Sequence, residues 1–381
     1  MFVWNEEQKA LRSSVDEWAE GFNKEYPELE DRDAFLARWE TVKQSGIPAL
    51  IIEEQYGGLG QDIMSTMYVM ENFGRVCEDA GLGFGLSTHI VSTCIPIQRF
   101  GNEEQKSEYL PLLATGEKIG AHAITEAEVG SDAWKMDTNA VKNDNGDFII
   151  NGNKTYCSNG PVADTIIVYA RTNEAAGTLG GFTAFIVDTK DNPGLTVGPP
   201  MHKMGLQTST LCDLFFDDML IPKEKVLGKE GQGFSIFNFV MKWEILISFV
   251  INVGEMETML NKTIAYSKHR KQYGQPICKY QAVSHKISDM KIGLETSRMM
   301  LYKAGSDFHR KVNSTTSLAM AKVVVSEAYV ANSLNCQQIF GGYGYMKEAG
   351  IEKYLRNSVA SKIYSGSSEI QRNTIASMLG L

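Results

Sequence analysis

The sequence predicts an α+β protein in which a sheet domain is inserted between two helical regions. Three observations carry this. Apolar residues recur at three- and four-residue spacing from the start to about residue 118. Between about 119 and 228, short β-branched and aromatic runs alternate with Gly, Pro and Asn. From about 229 the helical period returns in long segments with few breakers. The chain therefore divides into an N-terminal α-helical domain (1–118), a middle antiparallel β domain (119–228) and a C-terminal helical bundle (229–381).

In the first region, helices are expected over 5–23, 32–45 and 62–76, and the glycine-rich "EEQYGGLGQ" (53–61) breaks the pattern between the last two. In the second, "DNGD" (144–147) is a turn between the strand-like "TNAVKN" and "FIING". Further strands are expected at 165–171, 182–188, 195–199 and 213–222. In the third, helices are expected over 234–268, 281–310 and 315–339.

Composition narrows the function. The 381 residues are 43% hydrophobic and 22% charged, with a formal net charge of −9. Nucleic-acid binding needs clustered Lys and Arg, and "KHRKQY" (268–273) is short and local. The start is charged and lacks a signal-peptide core, and the most apolar run (about 236–254) is interrupted by Lys242, Glu244 and Asn252. A cytoplasmic protein without a membrane or nucleic-acid partner is expected. The six cysteines are scattered, as suits reduced thiols, and the six histidines show no metal-ligand spacing, so no metal site is expected.

Several motifs are weak singly. "HAITEAEVGSD" (122–132) and "KTYCSNG" (154–160) read as strand ends with polar turns. "HRKQYGQPI" (269–277) reads as a solvated basic helix end, and "QQIFGGYGY" (337–345) as a helix C-cap and turn. "KIYSGSSEIQRN" (362–373) is a Gly-Ser turn opening a helix, whose N-terminus suits an anion or carbonyl. In this order and spacing, together with "EEQYGGLG" and "HKMGLQTSTLCDLFFDDMLIP", they resemble the acyl-CoA dehydrogenase family over essentially the full length. The resemblance implies a C-terminal four-helix bundle, non-covalent FAD and a homotetramer.

It also implies roles for residues. Ile124, Thr125, Gly130 and Ser131 match positions lining the flavin ring and pyrophosphate, where N–H groups and hydroxyls suit a ring that takes on negative charge. Tyr156 and Ser158 stand where the family often has Trp and Thr beside the flavin. Arg270 and Tyr273 match an Arg and an aromatic that reach the FAD of a neighbouring subunit. Gln281, Gln338, Gly341 and Gly342 match the remaining nucleotide contacts, and Ser367 and Glu369 match positions near the adenosine end.

The reaction implied removes the acidic α-proton of an acyl thioester and passes a hydride to the flavin, which needs one positioned carboxylate in a dry pocket. Many members carry that Glu in the stretch matching "IYSGSS", where this chain has Ser365, a poor base without an activating partner. A minority carry it on the helix matching "KWEILIS", where this chain has Glu244. On a helix its neighbours are Val240, Met241, Ile247, Ser248 and Ile251, a mostly apolar setting. Acid lost at 365 and present at 244 favours Glu244 as the base over a structural Glu. The family usually has Arg directly after this acid; here Ile245 stands there, so either the pocket is more apolar or another cation substitutes.

Finer features, among them "KTYCSNGPVADTIIVYART", "MKWE" and "IYSGSSEIQ", resemble the members that oxidise prolyl groups tethered to a carrier protein. The implied reaction converts L-prolyl-S-carrier to a pyrroline-carboxyl thioester, or onward to a pyrrole, with an acyl or peptidyl carrier protein as partner. Trp243 and Tyr364, flanking the two base positions, are candidates for shortening the pocket, and ordinary aromatic packing explains them equally well. Two alternatives stand beside this reading: a short branched-chain acyl-CoA dehydrogenase, and a non-catalytic flavin-fold binding protein.

Overall fold

The computed structural model describes residues 3–26 and 33–381. The N-terminal region comprises α1 (Glu6–Glu25), α2 (Phe35–Gln44), α3 (Ile63–Val76), α4 (Ala80–His89), α5 (Ile95–Phe100) and α6 (Glu103–Ala114). The helix expected from 32 is α2, which starts at Phe35; Arg32 lies outside the described residues. Side chains set the starts: Asn5 and Gln8 form a capping box on α1, and Asp62 and Asp79 accept from the backbone of α3 and α4. A π-turn, Ile90–Cys94, joins α4 to α5. A fully buried ion pair, Arg38–Asp79, ties α2 to the start of α4, and the same guanidinium reaches Thr208 in the middle region at 3.4 Å.

The sheet is built from β1 (Gly120–Ala123), β2 (Asn139–Lys142), β3 (Phe148–Ser158), β4 (Thr165–Arg171), β5 (Phe182–Asp188), β6 (Leu195–Val197), β7 (Leu211–Ile221) and β8 (Val226–Leu227), with a single turn, α7 (Gly177–Gly180), between β4 and β5. The strand order is β6-β7-β3-β2-β4-β5-β8, with β1 also on β4. The predicted turn at 144–147 closes the β2–β3 hairpin. Among the described residues the pairing is antiparallel except at β1–β4 and at one residue pair of β2–β4. Residues on β4 alternate faces: Ile167 and Tyr169 join the core shared with the helices, while Ile166, Val168 and Ala170 join a second core on the other face of the sheet.

The C-terminal region begins with α8 (Gly233–His269), followed by the short hairpin of β9 (Lys271–Gln272) and β10 (Gln275–Pro276), then α9 (Gln281–His309), α10 (Thr315–Phe340), α11 (Glu352–Ala360) and α12 (Ser368–Met378). Helices α8, α9, α10 and α12 pack as a bundle around α10. The apolar run of α8 is core: residues 245–256 are all buried, under α3, α9 and α10.

Two glycines set how closely α3 and α8 cross. A Cβ on Gly254 would lie 2.0 Å from the Glu71 carbonyl oxygen, and one on Gly74 would lie 2.1 Å from that of Ile251. Arg298 of α9 fastens the crossing by donating to Glu71 of α3 at 2.9 Å and Glu257 of α8 at 2.5 Å. Gly254→Val is therefore expected to destabilise the protein by about 3 kcal/mol, because backbone cannot yield as a side chain does. Urea unfolding of the variant checks this; an unchanged midpoint would show that the two helices need no glycine to meet.

Candidate active site

A cavity of about 1010 Å³ lies where the three regions meet. Its first wall is β1 and the loop after it. β1 is held on both flanks: it pairs with β4, and its Gly120 N–H donates to Nδ1 of His89 at 3.0 Å. The other ring nitrogen of His89 lies 3.0 Å from the Leu113 carbonyl, which makes it the N–H donor. Burial holds this imidazole down, to about 4, so it is neutral and can serve both partners. Thr93 of the π-turn donates to the Ala121 carbonyl at 2.9 Å, and Asn159 to that of Gly120 at 3.1 Å. Ile124, Thr125, Gly130 and Ser131 then border the cavity. Below them, Lys154 is buried against Glu126 at 2.8 Å, and burial pulls its ammonium down to about 8 against the pull of that carboxylate.

The second wall is the end of β3. The pairing with β7 slips between Lys154 and Cys157, and within this bulge Tyr156 takes φ +54°. A left-handed backbone is strained for an aromatic residue, and here it leaves the ring 64% exposed at the cavity edge. Ser158 borders the cavity one residue beyond Cys157.

The third wall carries the acid. Glu244 of α8 borders the cavity, and its Oε1 accepts a 2.6 Å hydrogen bond from the Ser365 hydroxyl. Its Oε2 is enclosed without a hydrogen-bond partner among the described residues. Ser365 takes φ +58° and Gly366 φ +73°, a double left-handed turn that opens α12 at the cavity with Ser367 as its N-cap. Gln371 secures the turn by donating to the Ser365 carbonyl at 3.0 Å. The two positions compared from the sequence, 244 and 365, are thus adjacent in space. Ser365, expected to lack a partner, has Glu244 as its partner and acts as a donor to the acid.

The surroundings of the acid are apolar. Ile245, only 5% exposed, faces the cavity with Phe84 and Tyr364. The Tyr364 ring packs on Phe84 and Phe249, and its hydroxyl accepts from Asn252 at 2.8 Å. Trp243 does not border the cavity; it packs against Phe239 and Phe308. Lys203 and Arg356 also line the cavity, and both are engaged with backbone carbonyls of the 204–206 loop. Lys242, on the same helix as Ile245, borders the cavity too, so both alternatives left open at Ile245, an apolar wall and a substitute cation, stand.

Of the residues singled out from the sequence, the cavity gathers Glu244, Ile124, Thr125, Gly130, Ser131, Tyr156, Ser158 and Ser367. It does not gather Arg270, Tyr273, Gln281, Gln338, Gly341, Gly342 or Glu369, which are exposed on this chain. Arg270 ends α8 and leads into the β9–β10 hairpin, at whose tip Tyr273 is 95% exposed. Gln281 opens α9. Gln338 and Gly341 close α10, where Gly341 at φ +61°, ψ −142° occupies a region open essentially to glycine alone. His122 was not assigned a role from sequence although it leads a quoted motif; which way a four-residue strand faces depends on its neighbours.

The cavity fits a flavin. It offers an aromatic face at Tyr156, hydroxyls at Thr125, Ser131 and Ser158, and a helix N-terminus at Ser367. A buried serine hydroxyl on its wall, Ser209, has no hydrogen-bond partner among the described residues. Flat apolar walls with a few polar groups are what a large planar heterocycle needs.

Comparison with known proteins agrees. The family profiles described as acyl-CoA dehydrogenase N-terminal, middle and C-terminal domains match residues 5–117, 121–219 and 231–380. The chain is 38% identical over 348 residues (91% of each chain) to an L-prolyl-[peptidyl-carrier protein] dehydrogenase of Pseudomonas fluorescens. It is 39% identical over 334 residues (88% of this chain, 87% of the relative) to an acyl-CoA dehydrogenase of Bacillus subtilis. Among solved structures it is similar to the prolyl acyl carrier protein oxidase AnaB, with TM-score 0.92, 37% identity and full coverage of both chains. It is also similar to the FAD complex of PigA, with TM-score 0.94, 33% identity and coverage of 100% and 99%. Since the three profiles follow one another along nearly the whole chain and the relatives match over most of their own length, this chain belongs to the acyl-CoA dehydrogenase family.

Proposed function

We propose that the protein oxidises an L-prolyl group, held as a thioester on the phosphopantetheine arm of a carrier protein, to a pyrroline-carboxyl thioester. The observation that carries this is the carboxylate of Glu244, held by Ser365 through one oxygen and left unpaired at the other, in a cavity suited to a flavin. Relatives named for prolyl-carrier oxidation supply the substrate class. The protein is an FAD-dependent dehydrogenase or oxidase.

Glu244 takes the α-proton of the thioester on Oε2, the oxygen with no partner. The Ser365 hydroxyl fixes the carboxylate rotamer by occupying Oε1. Ile245, Phe84 and Tyr364 keep water from the acid and limit the room beside it. FAD, when bound there, would supply the acceptor for the second hydrogen and its electron pair. Thr125, Ser131 and Ser158 would hold the flavin ring by hydrogen bonds, and Tyr156 would cover it.

A homotetramer completes the reading. Arg270, Tyr273, Gln281, Gln338, Gly341 and Gly342 are exposed on one chain, which suits residues that meet the nucleotide of a neighbouring subunit; Glu369, in the first turn of α12, is exposed beside Ser367 near the adenosine end. Six free thiols support a reducing, cytoplasmic setting. A second reading, oxidation of a short acyl-CoA, is favoured by relatives of similar identity named acyl-CoA dehydrogenase, one of them as short-chain specific.

The protein with FAD should remove two hydrogens from an L-prolyl-loaded carrier, read by mass spectrometry, and leave isovaleryl- and butyryl-CoA largely unreacted; the converse pattern establishes the acyl-CoA reading. Glu244→Gln should retain FAD and fold yet slow single-turnover flavin reduction by roughly 10²–10⁴-fold, and adding Ser365→Glu to it should restore part of the rate. Ser365→Ala should lower the rate about 10-fold by leaving Oε1 unpartnered. Near-normal reduction by Glu244→Gln ends its assignment as the base. Arg270→Ala should weaken FAD binding and the oligomer together, measured by flavin titration and size-exclusion mass; if both are unchanged, Arg270 does not join a cofactor across an interface.

A further inference from the structure

The cavity holds a second titratable side chain that the proton-abstraction step does not use. His122 is the third residue of β1, and its ring borders the cavity together with Glu244. Its backbone is fixed, because the His122 carbonyl accepts from the Cys157 thiol at 3.1 Å and its Cα is in register with Ile167 of β4. Its side chain is not satisfied: Nδ1 is enclosed and has no hydrogen-bond partner among the described residues. An enclosed imidazole nitrogen left this way is unusual, since enclosed polar groups nearly always find a partner. The half-buried residue stands on the cavity wall, where an occupant of the cavity meets it.

The protonation state is set by place. Burial pushes the imidazole below its ordinary value, while the nearby Glu244 charge acts in the opposite direction and does not overcome it. The ring is therefore neutral near pH 7, with one donor and one acceptor nitrogen. An ordinary acyl chain beside the acid offers nothing to such a ring. A prolyl group does, because its ring nitrogen is bonded to the same carbon from which the α-proton leaves. A nitrogen at that place lies next to whatever Glu244 approaches.

We infer that His122 is the residue that distinguishes an aminoacyl thioester from a plain acyl thioester, by accepting a hydrogen bond from the ring N–H of a prolyl group seated beside Glu244. This rests on the prolyl reading of the site. It asks no chemistry of His122 beyond that contact: the α-proton still goes to Glu244. The selectivity has a stated asymmetry. A site built to pair an N–H loses a paired nitrogen when the carbocycle binds, and so rejects it more strongly than size alone allows.

The test compares L-prolyl and cyclopentanecarboxyl thioesters of pantetheine, which differ by the ring nitrogen. The FAD-loaded protein is used as wild type, His122→Phe and His122→Asn. Single-turnover flavin reduction gives a prolyl-to-carbocycle rate ratio. Calorimetry with the corresponding pantetheine amides gives a ratio of affinities that does not depend on turnover. His122→Phe should lower both ratios about 10- to 100-fold, and His122→Asn, which keeps a polar acceptor, should restore part of each. Wild-type ratios in His122→Phe with flavin content intact would overturn the assignment. Should His122→Phe fail to hold FAD, His122→Asn decides: ratios shifted from wild type, with the carbocycle gaining, support it, and unchanged ratios overturn it. If the wild type binds and oxidises neither prolyl compound, nor a prolyl-loaded carrier, the prolyl reading itself falls. If it oxidises prolyl and carbocycle alike, only the role of His122 falls.

Discussion

The imidazole of His89 sits buried between two regions of the chain and bonds both, through Leu113 at the end of α6 and Gly120 at the start of β1. A charged ring could not do this, because both nitrogens would then be donors and Gly120 offers an N–H. The low proton affinity that burial imposes is thus what allows the helical region and the sheet to be joined by backbone-quality bonds at one point. Trp39 packs edge-on against the same ring, 5.2 Å away, and itself donates to the Gly116 carbonyl. The loop from α6 into β1 is clamped from both sides. Ile124, Thr125 and His122, which border the cavity, inherit their positions from that clamp.

The acid depends on a different constraint. α8, which carries Glu244 to the cavity, crosses α3 at glycine-to-backbone distance, with Gly254 and Gly74 admitting no side chain. Ser365 arrives from the far end of the chain, 121 positions from Glu244, on a turn with two successive positive-φ residues. Strain of that kind persists only where surrounding contacts over-determine it. Here Gln371 and the start of α12 supply them. The side chains at 244 and 365 thus share one small volume although they lie far apart in sequence.

The cavity wall mixes polar and apolar groups: hydroxyls of Thr125, Ser131 and Ser158 and the start of α12 border it together with Ile245, Phe84 and Tyr364. Such a mixture suits a site that both hydrogen-bonds a ligand and keeps a reacting carbon dry. Of the ionisable groups on the wall, Lys203 and Arg356 are restrained by backbone carbonyls, and burial lowers the proton affinity of His122.

The order of helical, sheet and helical regions could be read from periodicity, because buried faces impose periods of 3.6 and 2 whatever the detailed packing. Strands 165–171 and 182–188 and helix 281–310 lie within a residue of where the pattern puts them. The candidate for the acid could also be named, since the absence of Glu at 365 and its presence at 244 are facts of sequence. What could not be read is everything that depends on which residues become neighbours across long separations. The hydrogen bond between Ser365 and Glu244, the withdrawal of Trp243 from the cavity and the facing of His122 into it each turn on a rotation or crossing that no local pattern encodes. The parallel pairing of β1 with β4 is of the same kind, since it joins segments separated by a whole hairpin. Local sequence determined the elements and the chemistry available to them; the tertiary structure decided which groups meet, because contact between distant segments is set by packing of the whole core.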